Sequence, residues 1–357
     1  MKPPSRLLLL TPSAFPSVTG NAMTAERWRR ALEEKRIAVK VMATQGLPAS
    51  ALYEEMDRFR PDLIHAHHAL RSGGLLLAPA GVHSRVWIHL VVSPAGTDIN
   101  GDLSKGPRRE IILKIFERSR AIIAQGPATR QRLEEILPRA RRRIFSVPKS
   151  VAWFGEENIR LREIAGCRPG SILLLFPAGI RPEKGNLECL RNLEKVHSLR
   201  PHLWAVFAGP ALDSDYAAQF EKEIIRLAAF TRWINPIPPA AMRSAYEAAD
   251  GVLNTSFSEG LANAVLEGMA AGRPLLASDI PGNRDPIWGG EGNDPSGILF
   301  NPQDPEDFIK QALRLIDDED LRNSLGQAGK KRAKGWPSPE EEAEGLIRAY
   351  EFARQSS

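Results

Sequence analysis

The chain has 357 residues, 43 % hydrophobic and 25 % charged, a globular composition too long for one compact core and suited to two domains. Two cysteines, Cys167 and Cys189, cannot build a disulfide framework, and no segment approaches the roughly 18 apolar residues of a membrane span, which excludes a secreted disulfide scaffold and an integral membrane protein. The net charge of +5 hides an asymmetry: residues 1–150 hold 25 Lys+Arg against 13 Asp+Glu, a balance of +12, and residues 151–357 hold 23 against 30, a balance of −7.

Short apolar runs alternate with helical patterns along the whole chain, the pattern of parallel sheets covered by helices. Residues 6–11 read as a buried strand whose apolar run, stopped by Thr11-Pro12, is too short for a secretory core, so the expected location is cytoplasmic. A loop with Gly20 follows, then an amphipathic helix over about 24–35 and strands at 37–42, 62–66, 86–92 and 121–124. The pattern restarts after Val147-Pro148-Lys149. Strands are predicted at 171–177, 203–209, 231–235, 251–256 and 274–279, with helices over 186–199, 215–229, 239–249 and from about Ala262. Residues 305–334 read as one helix, and Ser338-Pro339-Glu340-Glu341 opens a last one, with a capping serine and proline in the first turn. The expected fold is α/β, two doubly wound domains facing across a cleft: residues 1–150, residues 151–337, and a helix over 338–357 that packs back toward the first domain.

Ligands of open parallel sheets bind at the carboxyl ends of the strands, and two loops of the second half carry unusual chemistry there. In Ala178-Gly179-Ile180-Arg181-Pro182-Glu183-Lys184-Gly185, glycines let the backbone approach a ligand, Arg181 can fork onto two phosphate oxygens and Lys184 is a point charge. The plain alternative is a proline turn with surface cations. In Ser256-Phe257-Ser258-Glu259-Gly260-Leu261-Ala262-Asn263, backbone amides from Gly260 to Asn263 would face an anion from a helix N-terminus. Glu259 would then face something neutral and hydroxylated, and Glu267, eight residues on, could accept from a ribose diol. The plain alternatives are a first-turn glutamate and a surface helical one.

Glu259 and Glu267 in SEGLANAVLEGMAAGRPLLASDIPGN resemble the E-x7-E signature of family-4-type retaining glycosyltransferases of the two-Rossmann GT-B fold. The Arg181/Lys184 loop is similar to that family's phosphate-gripping pair, with a spacing shorter than the commonest G-R-x-x-x-x-K form. In the first half, TGNAMTAERW, HAHHALRSGG and AGTDIN resemble a subgroup with the glycosyltransferase-1-domain-containing proteins and the selenosugar synthases. The resemblance implies transfer of a hexosyl- or N-acetylhexosaminyl-type sugar, with retention, from a nucleotide-diphosphate donor, UDP favoured. Arg181 and Lys184 would grip the donor diphosphate at Gly179, and Gly260, Leu261, Ala262 and Asn263 would hold diphosphate and sugar. Glu259 would take a sugar hydroxyl, Glu267 the ribose, and Ile234 and Asn235 would lie against the base. The acceptor would be an anionic small molecule, a glycan or a lipid, with a selenosugar-synthase-like acceptor among them. A nucleotide-sugar epimerase and a non-catalytic sugar-nucleotide binder are the alternative readings.

On the first-domain side, Gly20 and Asn21 would approach donor phosphates and polar groups, a reading balanced by a simple turn with Thr24 capping the helix. Asp98 stands where many family members carry a histidine and would position the acceptor or balance charge on the sugar. His65, His67 and His68 are expected to be cleft or core residues, since a metal needs three or four converging ligands. Asp213-Ser214-Asp215 mimics a metal-binding D-x-D but precedes a helix, where capping is expected. The cationic loop and helix dipole neutralise a diphosphate, so no metal and no cofactor beyond the donor co-substrate are expected. The basic first half, densest at Arg139, Arg141, Arg142 and Arg143, is either a solvated face or a meeting place for an anionic partner or a membrane surface. Nucleic acid is not expected, because aromatic-interleaved strands and zinc spacings are lacking.

Overall fold

The computed structural model describes residues 3–77, 89–104, 106–290, 292 and 294–355. Its contacts divide the chain into two units, Met1–Ala152 with Pro337–Ser357, and Trp153–Trp336. Among the described residues, no helix is long and apolar enough to cross a membrane.

Among the described residues, unit 1 holds six strands, β1 (Arg6–Thr11), β2 (Ala38–Ala43), β3 (Leu63–His67), β4 (Leu90–Ser93), β5 (Ala121–Ala124) and β6 (Ile144–Ser146), all parallel in the order β2-β1-β3-β4-β5-β6. They are covered by α1 (Gly20–Glu34), α2 (Ala49–Phe59), α3 (Thr97–Asn100), α4 (Gly106–Arg118) and α5 (Pro127–Ile136), and by α14 (Pro339–Gln355) from the end of the chain. The leucine run of β1 follows from burial on both faces: Leu8 and Leu10 enter one helix-covered core, Leu7 and Leu9 the other.

Helix α14 presents Ala343, Leu346, Ala349, Tyr350 and Ala353 to the second of these cores, beside Trp28 and Leu32 of α1. Small residues allow the close approach; a Cβ on Gly345 would stand 3.0 Å from Val147 Cγ1. The helix opens with a reciprocal capping box, Ser338 N–H donating to Glu341 Oε2 (2.8 Å) and Glu341 N–H to Ser338 Oγ (3.2 Å). Just inside it, Glu342 is 1 % exposed and accepts from Arg27, Trp28 Nε1 (2.6 Å), Gln125 Nε2 (2.9 Å) and the backbone and hydroxyl of Ser150.

Unit 2 holds β7 (Ile172–Phe176), β8 (Leu203–Ala208), β9 (Thr231–Ile234), β10 (Gly251–Asn254), β11 (Leu275–Ser278) and β12 (Gly297–Phe300), parallel in the order β12-β11-β10-β7-β8-β9. Its helices are α6 (Leu161–Ala165), α7 (Asn186–Leu199), α8 (Ser214–Arg226), α9 (Met242–Ala248), α10 (Asn263–Ala270), α11 (Pro281–Trp288), α12 (Pro305–Asp317) and α13 (Glu319–Lys334). As in β1, the apolar run of β7 divides between two cores, Leu174 and Phe176 to one, Leu173 and Leu175 to the other.

Several boundaries differ from the sequence reading, each for a local reason. Helix α1 starts at Gly20, because Thr19 caps it by accepting from Ala22 N–H at 3.3 Å; Thr24, 1 % exposed, lies inside the helix. Residues 305–334 are two helices, broken at Asp318, whose carboxylate caps α13 by accepting from Leu321 N–H at 2.8 Å. Residues 239–249 open as a tight 3-10 turn before α9, and the helix over 215–229 ends at Arg226. The strand over 251–256 stops at Asn254, and 86–88 of the strand expected over 86–92 lie outside the described residues. The short edge strands β6 and β12 are not among the strands read from the sequence.

Candidate functional site

In unit 2 the strand order reverses between β7 and β10, and open parallel sheets bind ligands at the carboxyl ends of the strands at such a point. The loops there are the two singled out by their chemistry: 177–185 after β7 and 255–262 after β10.

The first loop is held by close backbone packing. A Cβ on Gly179 would fall 2.4 Å from Leu212 Cδ1, and one on Gly185, whose φ is +64°, would fall 2.7 Å from the Thr255 carbonyl. Gly185 ends the turn that carries Lys184 and stands at the N-cap of α7, where no side chain caps the helix. Arg181 N–H donates to Asn186 Oδ1 at 3.1 Å. Two buried donors of this loop, Arg181 Nε and Asn186 Nδ2, have no hydrogen-bond partner among the described residues, although Asn186 is 0 % exposed. Orphaned buried donors are costly unless a ligand accepts from them, which suits an anion.

In the second loop Thr255 Oγ1 donates to the carbonyl of Lys184 at 3.0 Å, and Phe257 N–H donates to that of Glu183 at 3.0 Å, so the loops are tied together. Lys184 Nζ is ion-paired with Glu259 Oε1, which also accepts from Ser256 Oγ at 2.7 Å. Burial pushes the Glu259 carboxyl up, but Lys184, Ser256 and the nearby Arg181 charge push harder, leaving it below its ordinary range and ionised at neutral pH. Helix α10 begins at Asn263 with Ala262 as its N-cap, and alanine supplies no capping oxygen to the first amides.

Glu267 sits one turn into α10, and Tyr246 Oη of α9 donates to its Oε2 at 2.7 Å. Burial, reinforced by the Glu267 charge, pushes the Tyr246 phenol well above its usual range, so the tyrosine stays a donor. Beneath the loop, Asn283 Nδ2 donates to the Ser278 carbonyl (3.0 Å), Ser278 Oγ to the Ser256 carbonyl (2.5 Å), and Ser256 N–H to Asn254 Oδ1 (3.3 Å). A Cβ on Gly282 would fall 2.6 Å from the Glu259 carbonyl, so the start of α11 backs the loop directly.

Arg181, Lys184, Gly179, Glu259, Gly260, Leu261, Ala262, Asn263 and Glu267 therefore cluster on the two loops and the helix they lead into. Ile234 and Asn235 lie at the carboxyl end of edge strand β9, with β8 between them and β7. Residues missed by sequence reasoning are Tyr246, Asn186 and Ser256. Their only signals were a hydroxyl within an apolar pattern for Tyr246, a polar residue at the start of a helix for Asn186 and one where an apolar strand run stops for Ser256.

In unit 1, Gly20 and Asn21 form the first turn of α1 at the carboxyl end of β1. Asp98, expected to position the acceptor or balance charge on the sugar, has a carboxylate 0 % exposed that accepts from the backbone amides of Ala95 (3.0 Å), Gly96 (3.1 Å), Ile99 (3.1 Å) and Ala69 (2.7 Å) and so shapes its own loop. His65 and His67 both hydrogen-bond Ser93 Oγ at 2.9 Å, and His65 also meets Tyr350 Oη at 2.9 Å. Burial pushes the His65 imidazole down to about 3. Among the described residues no three His, Cys, Asp or Glu converge as metal ligands. Asp213 caps α8, accepting from Tyr216 N–H at 3.0 Å.

The family profile described as Glycosyl transferases group 1 matches residues 158–332, and that described as Glycosyltransferase Family 4 matches residues 20–151. The chain belongs to the family-4-type glycosyltransferases. This glycosyltransferase is 24 % identical over 242 residues to glycosyltransferase 1 domain-containing protein 1 of Xenopus tropicalis, covering 66 % of this chain and 68 % of the relative. Sucrose-phosphate synthase of Thermosynechococcus elongatus superposes with a TM-score of 0.80 at 15 % identity, over 99 % of this chain and 100 % of that one. Anabaena HepE in complex with UDP-glucose does so with a TM-score of 0.76 at 16 % identity, over 96 % and 98 %. The shared fold is GT-B, with a Rossmann-like sheet in each unit.

Proposed function

We propose that this glycosyltransferase moves a hexosyl-type sugar from a UDP-sugar to an anionic acceptor, with retention of anomeric configuration. The observation that carries the reading is the junction of the cationic turn and the acidic loop, with Lys184 paired to Glu259 between two uncapped helix N-termini. The HepE likeness, a protein solved with UDP-glucose, supports the choice of nucleotide. Lys184 and Glu259 neutralise each other. A bound donor would take Lys184 onto its diphosphate and leave Glu259 to accept from a sugar hydroxyl.

The bond from the anomeric carbon to the diphosphate oxygen breaks, and one to the acceptor nucleophile forms. Arg181, Lys184 and the first amides of α10 stabilise the charge that develops on the leaving diphosphate, and the acceptor proton passes to a departing phosphate oxygen. Glu267, aligned by Tyr246, holds the ribose diol. The surplus positive charge of residues 1–150 favours an anionic acceptor, and selenophosphate, a glycan and an anionic lipid are the acceptors to assay.

A thermal-shift panel with UDP, GDP, ADP and their sugar conjugates, with and without magnesium, tests the donor. UDP and one UDP-sugar are expected to raise the melting temperature without magnesium, by about 2.7 kcal/mol of stabilisation at a hundredfold excess over Kd. Glu267→Ala should weaken the shift. Unchanged sugar transfer in folded Glu267→Ala and Arg181→Ala variants would overturn the assignment, and acceptor-free conversion of the donor to an isomer would make the protein an epimerase.

A further inference from the structure

The arginine cluster that the sugar-transfer site leaves unused lies in unit 1, at the amino edge of its sheet. We propose that it forms a second binding site, for a phosphorylated ligand. Residues 117–120 lead from α4 into β5, and the 3-10 turn Pro138–Arg143 leads into β6; together they wall a cavity of about 560 Å³. Because β5 and β6 are parallel, both turns lie at their amino ends, opposite the carboxyl edge that carries Gly20 and Asn21.

Arg118, Arg120, Arg139, Arg142 and Arg143 line this cavity, against the single carboxylate of Glu117. Arg143 is committed to the fold: its Nη1 donates to the carbonyls of Glu117 (3.2 Å) and Ser119, closing the end of α4. The neighbouring Arg141 is likewise paired with Glu134 Oε2 at 3.3 Å. Arg120, Arg139 and Arg142 make no ion pair and no side-chain hydrogen bond to any described residue. Several guanidinium groups around one concavity repel one another unless an anion sits among them. A phosphoryl group, with its charge spread over three oxygens, satisfies several forks at once where a carboxylate satisfies one.

The cavity is also more than a charged face. Phe352 of α14, packed on Phe145 with ring centroids 5.1 Å apart, supplies an apolar wall for the carbon portion of such a ligand. The volume suits a phosphorylated small molecule or the headgroup of a phospholipid, which share the chemistry recognised here.

Titration of the full chain with tripolyphosphate at constant ionic strength tests the site, in an Arg181→Ala/Lys184→Ala background that removes the proposed donor grip. Saturable binding is expected to survive in that background and to weaken about tenfold or more when Arg139→Ala and Arg142→Ala are added, with the circular dichroism spectrum unchanged. Co-sedimentation with phosphatidylcholine vesicles containing phosphatidic acid, against phosphatidylcholine alone, separates the sources. Sedimentation competed by tripolyphosphate assigns a headgroup, and tripolyphosphate binding without sedimentation assigns a soluble ligand. No saturable binding in the Arg181→Ala/Lys184→Ala background, or an affinity indifferent to Arg139 and Arg142, overturns the proposal while leaving the sugar-transfer reading intact.

Discussion

The 2.7 Å bond between Tyr246 Oη and Glu267 Oε2 joins two helices that share no sequence motif. It leaves the second carboxylate oxygen to other partners and fixes the orientation of the group proposed to hold the donor ribose. A hydrogen bond to a charged acceptor contributes about 1.5–3 kcal/mol, so its loss is measurable in ligand affinity. Tyr246→Phe keeps the ring that packs against Trp153 at 5.9 Å and removes only the hydroxyl. The expected outcome is a rise in donor KM of about tenfold with a smaller change in kcat, measured by steady-state kinetics. A donor KM equal to that of the native chain would remove Tyr246 from the site. At Glu259 the partner is a cation instead, and removing Lys184 would leave a carboxylate only 13 % exposed with burial as the dominant influence. Its carboxyl is then expected to titrate above its ordinary range in Lys184→Ala, which a carbon-13 NMR titration of labelled glutamate would resolve.

At the scale of elements, α14 is fastened at its start by Glu342 and along its length by small apolar contacts. Burial pushes the Glu342 carboxyl up, but Arg27, Ser150 and Trp28 push harder, and it ends below its ordinary range. A carboxyl whose folded-state value lies below its unfolded one stabilises the fold above the ordinary value of 4.5. That contribution fades as pH falls through the lowered folded-state value. Glu342→Gln leaves the Arg27 guanidinium, itself 5 % exposed, without its counter-charge, and breaking such a buried pair costs about 3–5 kcal/mol. Urea unfolding near neutral pH should show that loss, and the variant should lose less further stability on acidification than the native chain does. Equal acid sensitivity in the two chains would show that Glu342 does not drive it.

For the whole molecule, each unit closes its own pair of cores around its own sheet, and α14 returns the end of the chain to the first. Folding of unit 1 therefore requires residues more than 180 positions downstream of its last strand, while unit 2 is continuous from Trp153 to Trp336. Calorimetry is expected to resolve two transitions. UDP should raise one of them, and Glu342→Gln should lower the other. Displacement of both by either perturbation would show the units to unfold as one.

The sequence by itself determined the strands that are buried on both faces, because four consecutive leucines in β1 and the run in β7 have no other stable place in water. It also determined the loop chemistry, since Arg181, Lys184, Glu259 and Glu267 stand out from their surroundings by charge and spacing. The edge strands β6 and β12 and the break at Asp318 were not legible, and at Asp318 one capping carboxylate outweighs a continuous helical pattern. Only the tertiary structure decided that β7 and β10 are neighbours, which brings Lys184 onto Glu259 across 75 positions of chain. It alone showed Asp98 bonded to the amides of its own loop, and Tyr246 as the partner of Glu267. The physical reason is the same in each case: charge and hydrogen-bonding capacity are written residue by residue, but the partner that satisfies them is chosen by which strands lie side by side.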